Sequence, residues 1–163
     1  MTIRKSRTED LPRLMEIFSI ARRFMAETGN SSQWADDYPV EELLLSDIGK
    51  GDSYVVLQDG RIVATFVLRA GNDPTYDVIT QGSWPDDAPY ATIHRIASSR
   101  ECKGILHLAM QFALQSYSSI RIDTHRDNLV MRKAIEREGF RYCGIIYCWN
   151  GSERFAYQFS KEV

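Results

Sequence analysis

Residues 93–105 read Ile-His-Arg-Ile-Ala-Ser-Ser-Arg-Glu-Cys-Lys-Gly-Ile, and this stretch decides the fold. The run Tyr90–Ala97 predicts a strand, and the apolar spacing over Lys103–Tyr117 predicts a helix. A tight strand-to-helix turn brings unpaired backbone N–H groups and the positive end of a helix dipole to one place. The loop is therefore a candidate anion site, and a plain connecting turn is the alternative. Three residues favour the anion site: Gly104 allows a close approach to the backbone, and Arg100 and Lys103 add positive charge.

The rest of the chain predicts a mostly antiparallel sheet. Asp59-Gly60 and Asn150-Gly151 each separate two β-branched or aromatic runs, a pattern typical of tight hairpins. Between the hairpins, Ile120–Thr124 predicts a strand and Leu129–Glu138 predicts a helix closed by Gly139. The four hairpin strands are expected at Ser53–Leu57, Arg61–Arg69, Phe140–Trp149 and Arg154–Ser160. The fold class is α+β: a mixed sheet flanked by helices, with a central parallel βαβ crossover.

Two helices are predicted before the first hairpin. Apolar residues recur at three- and four-residue intervals over Thr8–Thr28, with Thr8 as the expected N-cap. A shorter helix is expected over Val40–Ile48. Gly71–Pro89 is rich in Gly, Pro and Asp, which predicts an ordered surface insertion with a helical turn around Tyr76–Thr80.

The composition predicts a single domain over residues 1–163. The chain is 44% hydrophobic and 26% charged, as ordinary globular domains are. With 20 basic and 22 acidic residues it offers no bulk attraction to nucleic acid. No apolar run reaches the roughly 18 residues of a membrane span, so we expect no membrane association and a cytoplasmic location. Three cysteines without a CxxC pair and scattered histidines predict neither a disulfide framework nor a metal site.

Four motifs, taken in order, resemble the GNAT superfamily of acetyl-coenzyme A-dependent N-acetyltransferases, and within it a bacterial branch. They are Gly-Asn-x-x-Gln-Trp at Gly29–Trp34, Ile-His-Arg-Ile-Ala at Ile93–Ala97, Ile-Asp-Thr-His at Ile122–His125 and Tyr-Cys-Gly-Ile-Ile-Tyr at Tyr142–Tyr147. The resemblance covers nearly the whole chain. It implies that acetyl-CoA is the co-substrate and that acetyl passes to a primary amine, which attacks the thioester directly in a ternary complex.

The resemblance also implies where acetyl-CoA binds. The strands predicted at 90–97 and 120–124 are expected to splay, with the pantetheine arm between them on backbone groups near Ile96 and Ser98. Asn128 occupies the place of the family's Asn, which contacts the cofactor and orders the next helix. The pyrophosphate is expected on the amides of Arg100–Ile105, a segment that includes Cys102, Lys103 and Gly104.

Two positions of the cofactor loop depart from the family pattern. Glu101 stands where the family has Arg or Gln, and Leu106 where it has a small residue. These departures predict a shorter and less positive anion loop than the family pattern. The binding of phosphate by backbone N–H groups does not depend on either side chain.

A third departure concerns the chemistry. Many family members have a Tyr seven residues after the Asn as general acid, and here that position is Ile135. Positioning of the amine beside the thioester can then carry the reaction. His94 and His125 are candidate bases because the unperturbed pKa of histidine lies near neutrality. Asp123 shares a strand face with His125 and can orient its ring. The structural alternatives are a capping role for His125 and a hydrogen-bonded strand role for His94.

The loop between the first two helices is the expected acceptor site, because in the family it lines the acceptor pocket. The candidate residues are Asn30, Gln33, Trp34 and Tyr38. The alternative is a lid that packs Trp34 at the core edge, and Tyr76 and Trp84 of the insertion share this ambiguity. The acidic side chains Asp36, Asp37, Glu41 and Glu42 favour a cationic amine on a small molecule or peptide. A homodimer formed through the terminal strands stays open.

Two other functions are alternatives to an acetyltransferase. A non-catalytic acyl-CoA-binding or regulatory module would keep the fold without turnover, and Ile135 and the altered loop favour it. A nucleotide-binding βαβ domain is disfavoured, because hairpins flank the crossover and the sequence has no GxGxxG motif.

Overall fold

The computed structural model describes residues 1–34 and 37–161. Its helices are α1 (Leu11–Glu27), α2 (Glu41–Gly49), α3 (Ile105–Leu114) and α4 (Leu129–Arg137), with short 3-10 turns at Thr8–Asp10 and Pro74–Tyr76. Its strands are β1 (Thr2–Lys5), β2 (Ser53–Gln58), β3 (Arg61–Ala70), β4 (Ala91–Ser98), β5 (Ser119–Thr124), β6 (Arg141–Tyr147) and β7 (Glu153–Ser160). Most bounds lie within a few residues of those predicted from the sequence.

The strands form one seven-stranded sheet in the order β1-β2-β3-β4-β5-β7-β6. β2 and β3 form the predicted Asp-Gly hairpin, and β6 and β7 form the predicted Asn-Gly hairpin, both antiparallel. β4 and β5 are parallel, with Ala91 opposite Ile120 and Thr92 opposite Arg121, and α3 connects them. The predicted α+β class, with a mostly antiparallel sheet and a central parallel crossover, is confirmed.

The chain divides into two compact units. The first comprises Met1–Leu68 and His94–Ile105, and the second Arg69–Ile93 and Leu106–Val163. The single domain over 1–163 stays a prediction. No helix among residues 1–34 and 37–161 is long and apolar enough to span a membrane.

The core of the first unit forms around the apolar face of α1. Its buried members are Leu14, Ile17, Phe18, Ala21, Leu44, Val55 and Ala97. The prediction of Thr8 as N-cap is wrong: α1 begins after Asp10, whose carboxylate accepts the backbone N–H of Arg7 at 2.7 Å. The Arg4 guanidinium binds the same carboxylate at 2.8 and 3.0 Å, so Asp10 fixes β1 to the start of α1. Arg4, above all, holds the pKa of the Asp10 carboxyl below its usual range.

The insertion between β3 and β4 packs within the second unit. Tyr76 is buried with Tyr90, Ile146 and Ala156. The helical turn predicted around Tyr76–Thr80 is instead a 3-10 turn at Pro74–Tyr76, because the Asp73 carboxylate caps the N–H of Thr75 at 2.9 Å. Thr80 then exchanges two backbone hydrogen bonds with Ile145 of β6, at 2.8 and 2.9 Å. The insertion therefore forms an ordered part of this unit's structure, as predicted.

A close backbone approach fixes the middle of the insertion against β6. A Cβ atom built on Gly82 would lie 2.0 Å from the carbonyl oxygen of Cys143, and one on Gly144 would lie 2.6 Å from that of Thr80. Both glycines also have positive φ, at +154° and +150°. Larger residues at these two positions would displace the insertion from β6.

Candidate functional site

The loop between β4 and α3 exposes a run of unused backbone donors. Ser99 N–H donates to Val63 O at 2.9 Å, and the N–H groups of Arg100 and Glu101 donate to the hydroxyls of Ser98 and Ser99 at 3.0 and 3.4 Å. The next four N–H groups find no acceptor among the described residues; they belong to Cys102, Lys103, Gly104 and Ile105. Four consecutive free donors at the start of a helix are a ready binding place for an anion.

The backbone of this loop is shaped by two residues in the left-handed region. Gly104 has φ +79°, and a Cβ atom built on it would meet nothing within 4 Å. Arg100 has φ +71°, an uncommon conformation for a residue with a side chain. The Arg100 guanidinium lies 3.5 Å from the centre of the Phe24 ring, so its positive charge is in contact with α1. Lys103 is exposed and remains a cation beside the free donors.

Two arginines pair with the carboxylate of Glu101, so its negative charge is not free. Its carboxylate accepts hydrogen bonds from Arg13 at 2.7 Å and from Arg61 at 3.0 and 3.3 Å. Arg13 and then Arg61 lower the pKa of the Glu101 carboxyl to about 2. This ion-pair network is a structural reason for the unexpected acidic residue: Glu101 joins the loop to α1 and β3.

In the second unit, Asn128 caps α4. Its side-chain oxygen accepts the N–H of Met131 at 3.1 Å, and its own N–H donates to His125 O at 3.0 Å. The side chain is buried, so it orders the start of α4. Ile135, which replaces the family's Tyr, is fully buried and has no atom that could supply a proton. An apolar, buried side chain therefore occupies that position.

His125 sits in the turn between β5 and α4. Its Nδ1 accepts the backbone N–H of Asp127 at 3.0 Å, so the neutral ring carries its proton on Nε2. Burial, and then the nearby Arg154, lower the pKa of the imidazole. The ring is therefore neutral at pH 7 and suited to donate from Nε2. The Nδ1 partner is the Asp127 backbone, which gives His125 a turn-capping role whatever else it does.

Asp123 is positioned by a residue of the insertion. Tyr76 donates its hydroxyl to the Asp123 carboxylate at 2.6 Å. Burial, followed by the charge of Asp123, raises the pKa of the Tyr76 hydroxyl well above its usual value. Tyr76 therefore keeps its proton at neutral pH and donates it in a hydrogen bond to a half-exposed carboxylate two residues before His125. The predicted role of Asp123 in orienting His125 stays a prediction, and the sequence spacing gave no sign of Tyr76.

His94 and Ile96 flank an irregular residue in β4. Both are half-buried, and Arg95 between them has φ +47°. The Arg95 guanidinium forms a two-point contact with the Asp47 carboxylate of α2, at 2.8 Å for each hydrogen bond. Sequence reasoning missed this buried ion pair because its members are 48 residues apart, and the motif that contains Arg95 gives no sign of Asp47.

The candidate acceptor residues lie in the first unit. Trp34 packs edge-on against Phe18 with ring centres 5.5 Å apart, so the predicted lid contact with the core edge is present. Asn30 donates to the side chain of Gln33 at 3.1 Å, and the buried Asn30 oxygen finds no hydrogen-bond partner among the described residues. Tyr38 lies 6.3 Å from Trp34, measured between ring centres. Asp36, part of the acidic group that favoured a cationic amine, lies outside the described residues.

Within residues 1–34 and 37–161, no three His, Cys, Asp or Glu side chains come together as a metal site would require. Among the histidines, His107 pairs with Glu138 at 2.7 Å on the surface.

The structure is similar to solved structures of acetyltransferases. One from Streptococcus agalactiae 2603, described as an acetyltransferase of the GNAT family, shares 30% identity over 99% of this chain and 96% of its own, with a TM-score of 0.88. The chain belongs to the GNAT family of acetyltransferases. The resemblance found from the four sequence motifs is thereby confirmed at the level of the family, and the protein is an enzyme of this class.

More distant GNAT structures share the fold. A GNAT-family acetyltransferase from Listeria monocytogenes 4b F2365 is 20% identical over 98% of this chain and 94% of its own, with a TM-score of 0.72. The ribosomal-protein-S18-alanine N-acetyltransferase from Escherichia coli is 16% identical over 99% of this chain and 94% of its own, with a TM-score of 0.61. Comparisons with family models and with curated proteins give no match.

Proposed function

We propose that this acetyltransferase uses acetyl-CoA and transfers the acetyl group to a primary amine of a small molecule or peptide. One observation carries the proposal: the run of free N–H groups from Cys102 to Ile105, in a chain of the GNAT family. Backbone donors at a helix start suit a pyrophosphate. Lys103 adds positive charge beside them.

The residues present fit the phosphate end of acetyl-CoA. Gly104 has open space on its Cα, so a phosphate can approach the backbone without meeting a side chain. The pairing of Glu101 with two arginines keeps its charge partly neutralised. We propose that the backbone near Ile96 and Ser98 binds the pantetheine arm and that Asn128, besides capping α4, contacts the cofactor.

The chemistry rests on positioning the two reactants. Acetyl-CoA supplies an activated acetyl group as a thioester. The acceptor must lose a proton to attack, and a carboxylate such as Asp123 can hold or accept it. We propose that His125 donates from Nε2 to orient the acceptor and that His94 is a second polar contact. Asn30, Gln33, Trp34 and Tyr38 are proposed to contact the acceptor itself.

Glu101→Gln is expected to tighten acetyl-CoA binding by about three- to tenfold at low ionic strength, since a carboxylate leaves the neighbourhood of the proposed phosphate site. The change also installs one of the residues that the family has there. Calorimetric titration measures it. Glu16→Gln is the matched control, because Glu16 pairs with the same Arg13 at 2.8 Å but lies on α1. Equal affinity of the Glu101→Gln variant and the wild type would contradict the expectation.

The same variant gives a pH prediction. The low pKa of Glu101 means that its interactions stabilise the fold above the ordinary carboxyl pKa of 4.5 and are lost as the pH falls towards about 2. Unfolding measured between pH 7 and pH 2 should therefore show a weaker loss of stability in acid for Glu101→Gln than for the wild type. Parallel curves for the two proteins would contradict it.

Tyr76→Phe is expected to lower the rate of acetyl transfer about tenfold and the free energy of unfolding by about 1–2 kcal/mol, because a hydrogen bond to a charged group is lost. The ring contacts remain. Tyr90→Phe is the matched control: it removes a hydroxyl from the same aromatic cluster, but that hydroxyl contacts Asn72 and Asp73. Equal rates of acetyl transfer in the two variants would show that the Tyr76 hydroxyl has no part in the reaction.

The stabilising effect of the Tyr76 hydroxyl should also disappear in alkali. Its pKa is raised in the folded state, so its contribution is fully present below the ordinary tyrosine value of 10.0 and is lost as the pH rises above it. The stability difference between the wild type and Tyr76→Phe should narrow above pH 10. An unchanged difference would contradict this assignment.

The function itself is tested by turnover. Purified protein is incubated with acetyl-CoA and a panel of amines that includes polyamines, aminoglycosides, amino acids and peptides with free N-termini. Release of the CoA thiol and mass spectrometry of the acetylated amine are followed together. Amine-dependent thiol release supports the proposal. Tight acetyl-CoA binding with no transfer to any amine class would favour an acyl-CoA-binding module.

A further inference from the structure

Arg95 has the most unusual backbone of the site elements. Four described residues other than glycine have positive φ, and Arg95 alone of these lies inside a strand. The others lie in a hairpin turn, in the insertion and in the loop after β4. A left-handed residue in a strand rotates the peptide groups on either side of it out of the regular ladder. Such a conformation persists only where the surroundings fix it.

The surroundings of Arg95 do fix it. Its guanidinium meets the Asp47 carboxylate at two points, Nε to Oδ2 and Nη2 to Oδ1, both at 2.8 Å. The Asp47 side chain is 1% exposed and that of Arg95 11%, so the pair is shielded from water. A two-point contact in this setting holds the guanidinium in one orientation. A glycine could adopt φ +47° without strain, yet the chain has an arginine there with a dedicated partner.

The ion pair reaches two parts of the proposed site. On β4 it adjoins Ile96, whose backbone is proposed to bind the pantetheine arm. Arg95 Nη1 also donates to the hydroxyl of Tyr38 at 3.4 Å, in the loop proposed to bind the acceptor. Arg22 donates to the carbonyl oxygen of the same Tyr38 at 3.0 Å, which fixes that residue from a second side.

We propose that the Asp47–Arg95 ion pair is a positioning element that holds the left-handed turn of β4 and thereby orients the backbone groups that bind the pantetheine arm. The inference rests on the proposed use of acetyl-CoA. Neither residue needs to touch the reacting atoms. The pair acts through the strand, so its removal should affect ligands with a pantetheine arm and spare ligands without one.

Two double variants that differ by one methyl group test this. Both double variants, Asp47→Asn with Arg95→Gly and Asp47→Asn with Arg95→Ala, lack the ion pair. Glycine at position 95 adopts the left-handed backbone without strain, whereas alanine disfavours it. Calorimetry is run with acetyl-CoA and with adenosine 3′,5′-bisphosphate, which lacks the pantetheine arm. We expect the alanine variant to bind acetyl-CoA about tenfold more weakly than the glycine variant, as relaxation of a strained left-handed residue implies. Both should bind the bisphosphate as the wild type does.

Equal acetyl-CoA affinity in the two double variants would overturn the inference. An equal loss of affinity for acetyl-CoA and for the bisphosphate would also overturn it, because a general structural role would cause that result. Arg95→Lys keeps a paired charge and serves if a double variant does not fold. It should weaken acetyl-CoA binding and leave bisphosphate binding unchanged, and wild-type behaviour would overturn the inference. A wild-type protein that binds neither ligand would instead refute the proposed function and the inference with it.

Discussion

Gly104→Asp is expected to weaken acetyl-CoA binding by about a hundredfold or more, because a carboxylate a few ångströms from a bound pyrophosphate repels it strongly. The added carboxylate would lie on the same short segment as the free N–H groups of Lys103, Gly104 and Ile105. Aspartate tolerates the left-handed backbone better than most residues. The loop should therefore keep its conformation and change mainly in charge. Calorimetric titration of wild type and variant measures the loss.

Gly60→Asp is the matched control for that variant. Gly60 has φ +77° against +79° for Gly104, and a Cβ on either meets nothing within 4 Å. It lies in the turn between β2 and β3, on the same compact unit. The two variants should lose similar stability, and only Gly104→Asp should lose acetyl-CoA affinity. If both variants had an equally small effect on acetyl-CoA affinity, the phosphate would bind elsewhere than at this loop.

Arg121→Ala is expected to lower the free energy of unfolding by about 3–5 kcal/mol. Arg121 is 5% exposed, and its guanidinium lies 4.0 Å from the ring centres of both Trp84 and Tyr90. It also donates to the side chain of Gln158 at 2.9 Å and to Asp86 O at 3.0 Å. Truncation removes both ring contacts, leaves buried acceptors without donors and opens a cavity. The insertion should therefore detach from β5.

Arg126→Ala provides the comparison for Arg121→Ala. Arg126 pairs with Glu153 at 2.9 Å, and its side chain is 56% exposed. Exposed ion pairs contribute little, so its removal should cost less than about 1 kcal/mol. Denaturant unfolding gives both values. A loss for Arg121→Ala as small as that for Arg126→Ala would show that the arginine is not what holds the insertion.

Local signals in the sequence determine most of the fold. Asp59-Gly60 and Asn150-Gly151 predict their hairpins because tight turns need residues that accept positive φ, and Asp59 and Gly60 have φ +52° and +77°. The period of α1 identifies the face that packs in the core. The prediction that α1 starts at Thr8 is wrong, because the helix starts after Asp10, whose carboxylate binds Arg4 of β1 in a contact that the local pattern does not show.

The site could be predicted only where a short stretch carries it. The loop after β4 follows from neighbouring residues, whereas the ordering role of Asn128 was expected from the family resemblance. The two contacts that sequence reasoning missed join distant parts of the chain. Tyr76 and Asp123 are separated by 47 positions, and Asp47 and Arg95 by 48. Such pairs depend on how elements pack, and one sequence carries no local sign of them. The insertion that supplies Tyr76 was recognised as ordered, but not as a source of a site contact.

Calorimetric titration of the purified protein with acetyl-CoA, CoA, NAD and ATP tests the central claim most directly, because it needs no knowledge of the acceptor. We predict saturable binding of acetyl-CoA in the micromolar range. The free energy of unfolding should rise by about 2.7 kcal/mol at a ligand concentration a hundred times the dissociation constant. NAD should not bind in this range. No binding at millimolar acetyl-CoA would contradict the proposal that the free N–H groups of residues 102–105 hold its pyrophosphate.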